Sequence, residues 1–291
     1  MKVATRRMAG FGLALTMFAG VAAAMPPVMD RLPTDAAMVV VIPSVEQLEK
    51  DVKSVAQLVG QPLPVGAEAL LSQMGITSGF NKGGSMVMVL NQIPDEDAPG
   101  EPDMLVLVPT GDYAGLLKSY DATPSGGIDE IEMPGGDKGF IKKLEGGYAV
   151  MAPKKSLVEK FSGSPGSEGK FKAMLGSRAT TLTDSGDAFI VLNVDVARPQ
   201  ITKMINSAME NMGDQMEMMG GGGMNVKAFE YFSKMMVEES TAIVASINID
   251  NVGVSFDIGA NFKPGSRLAG VAVGGGKSGA LLSKLPAQPY L

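Results

Sequence analysis

A cluster of six methionines within sixteen residues is the strongest candidate for chemistry in this sequence. The segment, residues 209–224, reads MENMGDQMEMMGGGGM. Soft thioether sulfurs select Cu(I), and residues three or four apart on a helix share one face. The methionines with that spacing are Met209, Met212, Met216 and Met219. The pattern therefore raises the hypothesis of a Cu(I) site.

The same four methionines also fit an apolar helix surface. Their stripe continues that of Ile201, Ile205 and Ala208, and the unbranched Met side chain suits adaptable contact surfaces. The chain contains 22 methionines, so this cluster is less distinctive than it would be elsewhere. The sequence favours packing, or a helix tip that contacts another protein or a lipid surface, over copper binding.

Glycines interrupt the methionine-rich segment and predict a helical hairpin there. Residues 220–223 are four consecutive glycines, and each glycine costs about 1 kcal/mol relative to alanine inside a helix. Two helices, 196–219 and 225–239, are therefore predicted on either side. The hairpin presents the methionines near its tip.

Residue types that are missing exclude several mechanisms. The chain has no histidine and no cysteine, so a Ser-His-Asp triad, a Cys-His pair and an imidazole or thiolate zinc site are all impossible. No cofactor is predicted, and no catalytic residue is assigned. Aspartate and glutamate are abundant, so a carboxylate-pair hydrolase stays open as an alternative.

The first 24 residues have the three parts of an export signal. Three basic residues precede an uncharged run at 8–23, which is shorter than the ~20 apolar residues that span a bilayer. Small residues then form an A-x-A cleavage pattern. That pattern and the first mature residue are Ala22, Ala24 and Met25. A cleaved signal peptide, 1–24, and a periplasmic or secreted mature protein are predicted; an uncleaved anchor is the alternative.

The charge of the mature chain restricts its partners. Without the three basic residues of the signal, 22 of the 25 basic residues remain against 31 acidic ones, a net charge of −9. Nucleic acid binding needs clustered Lys and Arg, so no nucleic acid partner is predicted. Anionic lipid is disfavoured for the same reason. No transmembrane segment is predicted after cleavage.

Three stretches share the order of an apolar strand, a capping residue and a helix. Their strands are 37–42, 104–108 and 188–194, and Ser44 and Asp195 are the predicted caps of the helices after the first and the third strand. This mixture predicts an α+β fold with two related lobes, each an antiparallel or mixed sheet with helices on one face. The first lobe is 25–161 and the second, with the methionine-rich hairpin, is 180–291. A flexible connector, 162–179, is predicted between them because it contains SGSPGSEG.

The start of the first lobe carries a resemblance. Leu32, Pro33, Asp35 and Ala36 form an L-P-x-D-A motif that is followed by strand, cap and helix. This unit resembles the repeats of exported planctomycete and cyanobacterial proteins that are classed as domains of unknown function. The resemblance implies an exported repeat protein and brings no catalytic residues. The leading interpretation is an exported, non-enzymatic binding or assembly protein.

Overall fold

The computed structural model describes residues 25–59, 67–93, 103–218, 226–250 and 253–274. The strands are β1 (Met38–Ile42), β2 (Met86–Leu90), β3 (Met104–Pro109), β4 (Ile128–Glu132), β5 (Lys138–Leu144), β6 (Tyr148–Ala152), β7 (Ala188–Asn193), β8 (Ser240–Ile249) and β9 (Val254–Phe262). The helices are α1 (Val45–Val59), α2 (Ala67–Gln73), α3 (Tyr113–Lys118), α4 (Lys155–Lys160), α5 (Glu168–Ser185), α6 (Val194–Met218), α7 (Val226–Glu239) and α8 (Arg267–Gly274). A short 3₁₀ helix, Pro27–Arg31, precedes β1. The predicted α+β class is confirmed.

The nine strands form one antiparallel sheet rather than two separate sheets. Their order is β4-β5-β6-β3-β2-β1-β7-β8-β9. Strands from both predicted lobes meet at the centre, where Val39 of β1 lies opposite Val191 of β7. Two separate sheets would leave the backbone groups of β1 and β7 unpaired, and their pairing satisfies those groups. The division into two lobes is therefore not confirmed.

The order of elements nevertheless repeats within this sheet. The run β1-α1-α2-β2-β3-α3 is matched by β7-α6-α7-β8-β9-α8. Strands β2 and β3 step outward on one side of the central pair, and β8 and β9 step outward on the other. The chain thus places two similar units side by side around β1 and β7.

The helix caps of the two units differ in how well the sequence predicts them. Ser44 caps α1 as predicted, with Gln47 N donating to Ser44 Oγ at 3.2 Å. For α6 the predicted cap, Asp195, is wrong. Val196 N instead donates to Asn193 Oδ1 at 3.4 Å, because β7 passes directly into the helix at Val194.

One face of the sheet carries the main hydrophobic core. Alternate strand residues point into it, including Val39, Leu107, Phe189 and Val191. The 3₁₀ helix, α4 and α5 supply the other side of this core. Because strand side chains alternate between faces, the residues between these positions point to the second face.

The predicted connector, 162–179, is ordered and contributes to that core. Helix α5 begins at Glu168 within it and buries Phe171 and Leu175. Asp30 holds its start, because Gly166 N and Glu168 N each donate to Asp30 Oδ1 at 3.0 Å. The glycine-rich composition predicts a flexible linker, but the apolar residues that follow it form a packed helix.

The second face is covered unevenly. Over β3, β5 and β6, helices α2 and α3 pack apolar residues that include Leu71, Leu116 and Leu117, and Tyr120 just after α3 joins them. Gly79 adopts φ +71° and permits the close approach of α3, since a Cβ there would overlap the Leu116 amide nitrogen. Over β7 and β9, by contrast, Ile190, Val254, Phe256 and Ile258 of this face stay exposed, and the β8 residues between them are half-buried.

The methionine-rich hairpin has the two predicted helices, α6 and α7, which pack against each other. Residues 219–225 between them, like the predicted signal peptide 1–24, lie outside the described residues. None of the described helices is both long enough and apolar enough to cross a membrane.

Candidate functional site

A row of exposed apolar side chains on β9 is the most distinctive surface of the described structure. Val254, Phe256 and Ile258 alternate along the strand and share one face, where they lie opposite Ile249, Ile247 and Ala245 of β8. Phe256 is 72% exposed and Ile258 is 78% exposed. Soluble proteins rarely leave contiguous apolar side chains in water without a binding role. We call these three residues the apolar row.

The apolar row continues across the sheet toward its centre. Ile258 lies opposite Ala245, which lies opposite Ile190 of β7, and Ile190 in turn lies opposite Val40 of β1. Beyond Val40 the line reaches Met88 of β2. Ile190 is 39% exposed although it belongs to a central strand. The row and this line together form what we call the open face.

Helix α5 fixes β9 from the opposite side. Asn261 Nδ2 donates to Met174 O at 2.8 Å. Gly259 allows close packing, because a Cβ at that position would lie 2.9 Å from Leu182 Cδ1. The apolar row therefore sits on a strand whose other face is anchored, and it is presented to solvent in a defined geometry.

The methionine candidates are only partly described. Met209 is half-buried in α6. Met212 and Met216 lie within the same helix, but the positions of their side chains, and all of Met219, fall outside the described residues. Met204, one turn earlier, is exposed on α6. The Cu(I) hypothesis and the helix-tip hypothesis both remain predictions.

Only one residue of the predicted cleavage site lies in the described part of the chain. Ala22 and Ala24 lie outside the described part of the chain, whereas Met25 is buried in the main core beside Val28 and Met29. The segment that would follow signal cleavage is thus an integral part of the folded protein.

A cleft of about 650 Å³ lies beside α3 and β4 and contains several polar groups. Tyr113 OH donates to Asp129 Oδ2 at 2.7 Å, and Ser125 N donates to Asp129 Oδ1 at 2.6 Å. Burial raises the pKa of Asp129, but the hydrogen bonds from Ser125 and Tyr113 outweigh it, so its net pKa lies below the ordinary value. Lys142 donates to the carbonyls of Val158 and Phe161. These polar groups stabilise the fold.

A second cleft, of about 350 Å³, contains two aspartates three residues apart. Burial raises the pKa of Asp184 and outweighs the lowering by Lys172, while Glu168 raises it slightly further. Burial also raises the pKa of Asp187, and the neighbouring Asp51 carboxyl raises it further. The Oδ1 atom of Asp184 is buried without a hydrogen-bond partner, while Asp187 Oδ2 accepts from Ile249 N at 2.7 Å. Carboxyls with raised pKa can serve as proton donors.

Metal-binding geometry is not found within the described ranges. No group of three or more Asp or Glu side chains there is arranged to hold a metal ion. No protein-family model, curated protein or solved structure matches the chain.

Neither the apolar row nor the two-aspartate cleft is among the sequence-derived candidates. Alternation at 254, 256 and 258 predicts a strand with one apolar face, and such a face is ordinarily buried. The Asp-Ala start that 187–188 shares with 35–36 marks the beginning of a strand, without marking a cleft. No local sequence signal distinguishes an exposed strand face from a buried one at 254–258.

Proposed function

We propose that this protein is an exported, non-enzymatic binding or assembly protein that docks a partner protein on the open face. The observation that carries the proposal is the exposure of Phe256 and Ile258 on an anchored strand. The line through Ile190 to Met88 makes the surface continuous rather than an isolated apolar side chain.

The energetics favour docking at this surface. Burying one large apolar side chain contributes about 1.5–3 kcal/mol, so covering Phe256 and Ile258 offsets part of the cost of association. Helix α5 already fixes β9 through Asn261, so binding does not have to order a flexible loop. The residues of the row are the expected hot spots of the interface.

The location in this proposal comes from the predicted signal peptide, 1–24. Docking would then take place in the periplasm or outside the cell, on the mature chain that starts at Met25. The L-P-x-D-A resemblance to exported repeat proteins supports the same location. The net charge of −9 directs the proposal toward an apolar partner protein rather than nucleic acid.

Binding of a fluorescent apolar dye to the folded mature protein tests this surface. Phe256→Ser combined with Ile258→Ser should remove most of the dye binding while leaving the circular dichroism spectrum unchanged, because both side chains are mainly exposed. The matched control is Tyr231→Ser with Phe232→Ser, which removes two exposed aromatic side chains on α7. Equal dye binding by wild type and the β9 variant would contradict the proposal.

A second candidate function is carboxylate-assisted hydrolysis in the two-aspartate cleft. The raised pKa values of Asp184 and Asp187 favour it, since a raised pKa makes a carboxyl a better candidate proton donor. A panel of chromogenic esters and glycosides would be tested with wild type, Asp184→Asn and Asp187→Asn. Turnover that is lost in both variants supports hydrolysis; wild-type rates equal to the buffer rate count against it.

A further inference from the structure

The β8–β9 hairpin fixes which backbone groups of β9 point away from the sheet. Asp250 N donates to Gly253 O at 2.9 Å, so Gly253 directs its carbonyl toward β8. In an antiparallel pair the direction of the backbone groups alternates from residue to residue. The even-numbered residues from 254 to 260 therefore direct their N–H and C=O groups outward. No other described strand lies on that side of β9.

The two edges of the sheet differ sharply in charge. At the far edge, β4 has three acidic residues among its five, Asp129, Glu130 and Glu132, and Glu130 forms an ion pair of 2.7 Å with Lys138. Charged side chains on a short edge strand oppose pairing with another chain. Strand β9 is nine residues long and has one charged residue, Asp257. Only the β9 edge lacks this protection.

We propose that β9 pairs antiparallel with β9 of a second copy of this chain, around a two-fold axis at Ile258. This inference rests on the proposed docking function, for which it names the partner. In this register the two Ile258 residues lie opposite each other, and each Phe256 lies opposite Ala260 of the second copy. The outward N–H and C=O groups of both strands then find partners, and the sheet continues through the dimer.

Side-chain charges select this register among its neighbours. A two-fold axis one residue earlier would place the two Asp257 carboxylates directly opposite each other, which is destabilising. With the axis at Ile258, Asp257 lies opposite Gly259. Lys263 then lies opposite Gly253 of the second copy, so no like charges meet along the paired strands.

The same geometry joins the apolar rows of the two copies. Side chains directly opposite and diagonal across paired strands contact one another, so the two rows pack edge to edge along the joint, while the face they form stays open to a small dye. A lipid surface has no backbone partners for the outward N–H and C=O groups. A second copy offers both those partners and matching apolar side chains.

Sedimentation equilibrium of the mature chain, 25–291, with charged substitutions at the axis tests the proposal. Wild type should have the mass of a dimer. Ile258→Lys and Ile258→Glu should each be monomeric, because like charges would then meet at the axis, and both should fold because the side chain is mainly exposed. An equimolar mixture of the two variants should restore the dimer, since unlike charges now meet.

A cysteine reporter gives an independent measurement, because the protein has no cysteine of its own. A short bismaleimide should link Ile258→Cys into a covalent dimer. The control is Glu130→Cys at the opposite edge, which should stay uncrosslinked.

Three results would overturn the pairing: a monomeric wild type, a dimer that survives both charged variants, or a mixture that stays monomeric. The dye experiment separates this failure from that of the proposed function. A monomer whose dye binding still depends on Phe256 and Ile258 keeps the docking surface and loses only the second copy as its partner. A monomer without that dependence overturns both.

Discussion

Two adjacent residues of β7, Phe189 and Ile190, point to opposite faces of the sheet and should respond very differently to truncation. Phe189 is 1% exposed and belongs to the main core. Ile190 lies on the open face. Both are changed to alanine in the same strand, so differences in strand propensity and pairing register are small and the contrast reports burial.

The expected magnitudes follow from the environments of the two side chains. Phe189→Ala should lower the free energy of unfolding by about 3–5 kcal/mol, because it removes a buried ring and leaves a cavity. Ile190→Ala removes three carbons, each of which contributes about 0.8 kcal/mol when it is fully buried. Because the side chain is 39% exposed, the expected loss in the free energy of unfolding is about 1.5 kcal/mol. No cavity cost is added, because the open face is exposed to water.

Urea unfolding of the mature chain, followed by far-ultraviolet circular dichroism, measures both changes. In both variants the free energy of unfolding should depend on urea concentration with the same slope as in wild type, so that a shift in the midpoint reports a change in stability alone. A loss for Ile190→Ala as large as that for Phe189→Ala would show that the second face is covered. The reasoning that leads from exposure at β7 to a docking surface would then be refuted.

Four further predictions concern other parts of the chain. Tyr113→Phe should lower the free energy of unfolding by about 1.5–3 kcal/mol, because it removes a hydrogen bond to the buried, charged Asp129; urea unfolding at neutral pH measures it, and a change near zero would contradict it. Asp129 contributes stability above its ordinary pKa, and this contribution is lost as the pH falls through its lowered folded pKa. On acidification the free energy of unfolding of Tyr113→Phe should therefore fall less than that of wild type. Asp184 has a raised folded pKa, so its contribution to stability falls as the pH rises from its ordinary value through the raised one. Asp184→Asn should therefore be more stable than wild type at pH 7 and lose that advantage below about pH 4. Thermal unfolding of both proteins across this pH range measures the difference. For the methionine-rich helix, Met216→Leu with Met219→Leu should leave stability nearly unchanged, because volume and apolarity are kept. Competitive Cu(I) titration that shows tight binding by wild type and none by this double variant would establish the copper hypothesis instead. Finally, N-terminal sequencing of the exported protein should begin at Met25, and a membrane-retained product that begins at Met1 would contradict the signal prediction.

Local sequence patterns determine much of the secondary structure. Short apolar runs predict β1 and β7, alternating apolar residues predict β9, and Ser44 predicts the start of α1, because strand patterns and helix capping depend on residues that are close along the chain. The four glycines after Met219 likewise separate two helices. The α+β class follows from the same local signals.

The candidate site depends on contacts that no local pattern specifies. The alternation of 254, 256 and 258 is the same whether a face is buried or open, and burial is decided by the helices that reach it. Helix α5 covers one face of β9, while α2 and α3 cover the second face only over the other half of the sheet. The sequence could thus predict the row as a strand face, and could not predict its exposure.

The sequence by itself determined the elements, the excluded chemistries and the predicted export signal, because composition and short-range periodicity carry that information. Only the tertiary structure decided that β1 pairs with β7 in one sheet, that the glycine-rich stretch before Phe171 leads into a core helix, and that β9 lies at an edge. These depend on pairing between residues about 150 positions apart, such as Val39 with Val191. Several strands of similar apolar character could compete for such a pairing. The choice among them is made by the packing of the whole sheet against its helices.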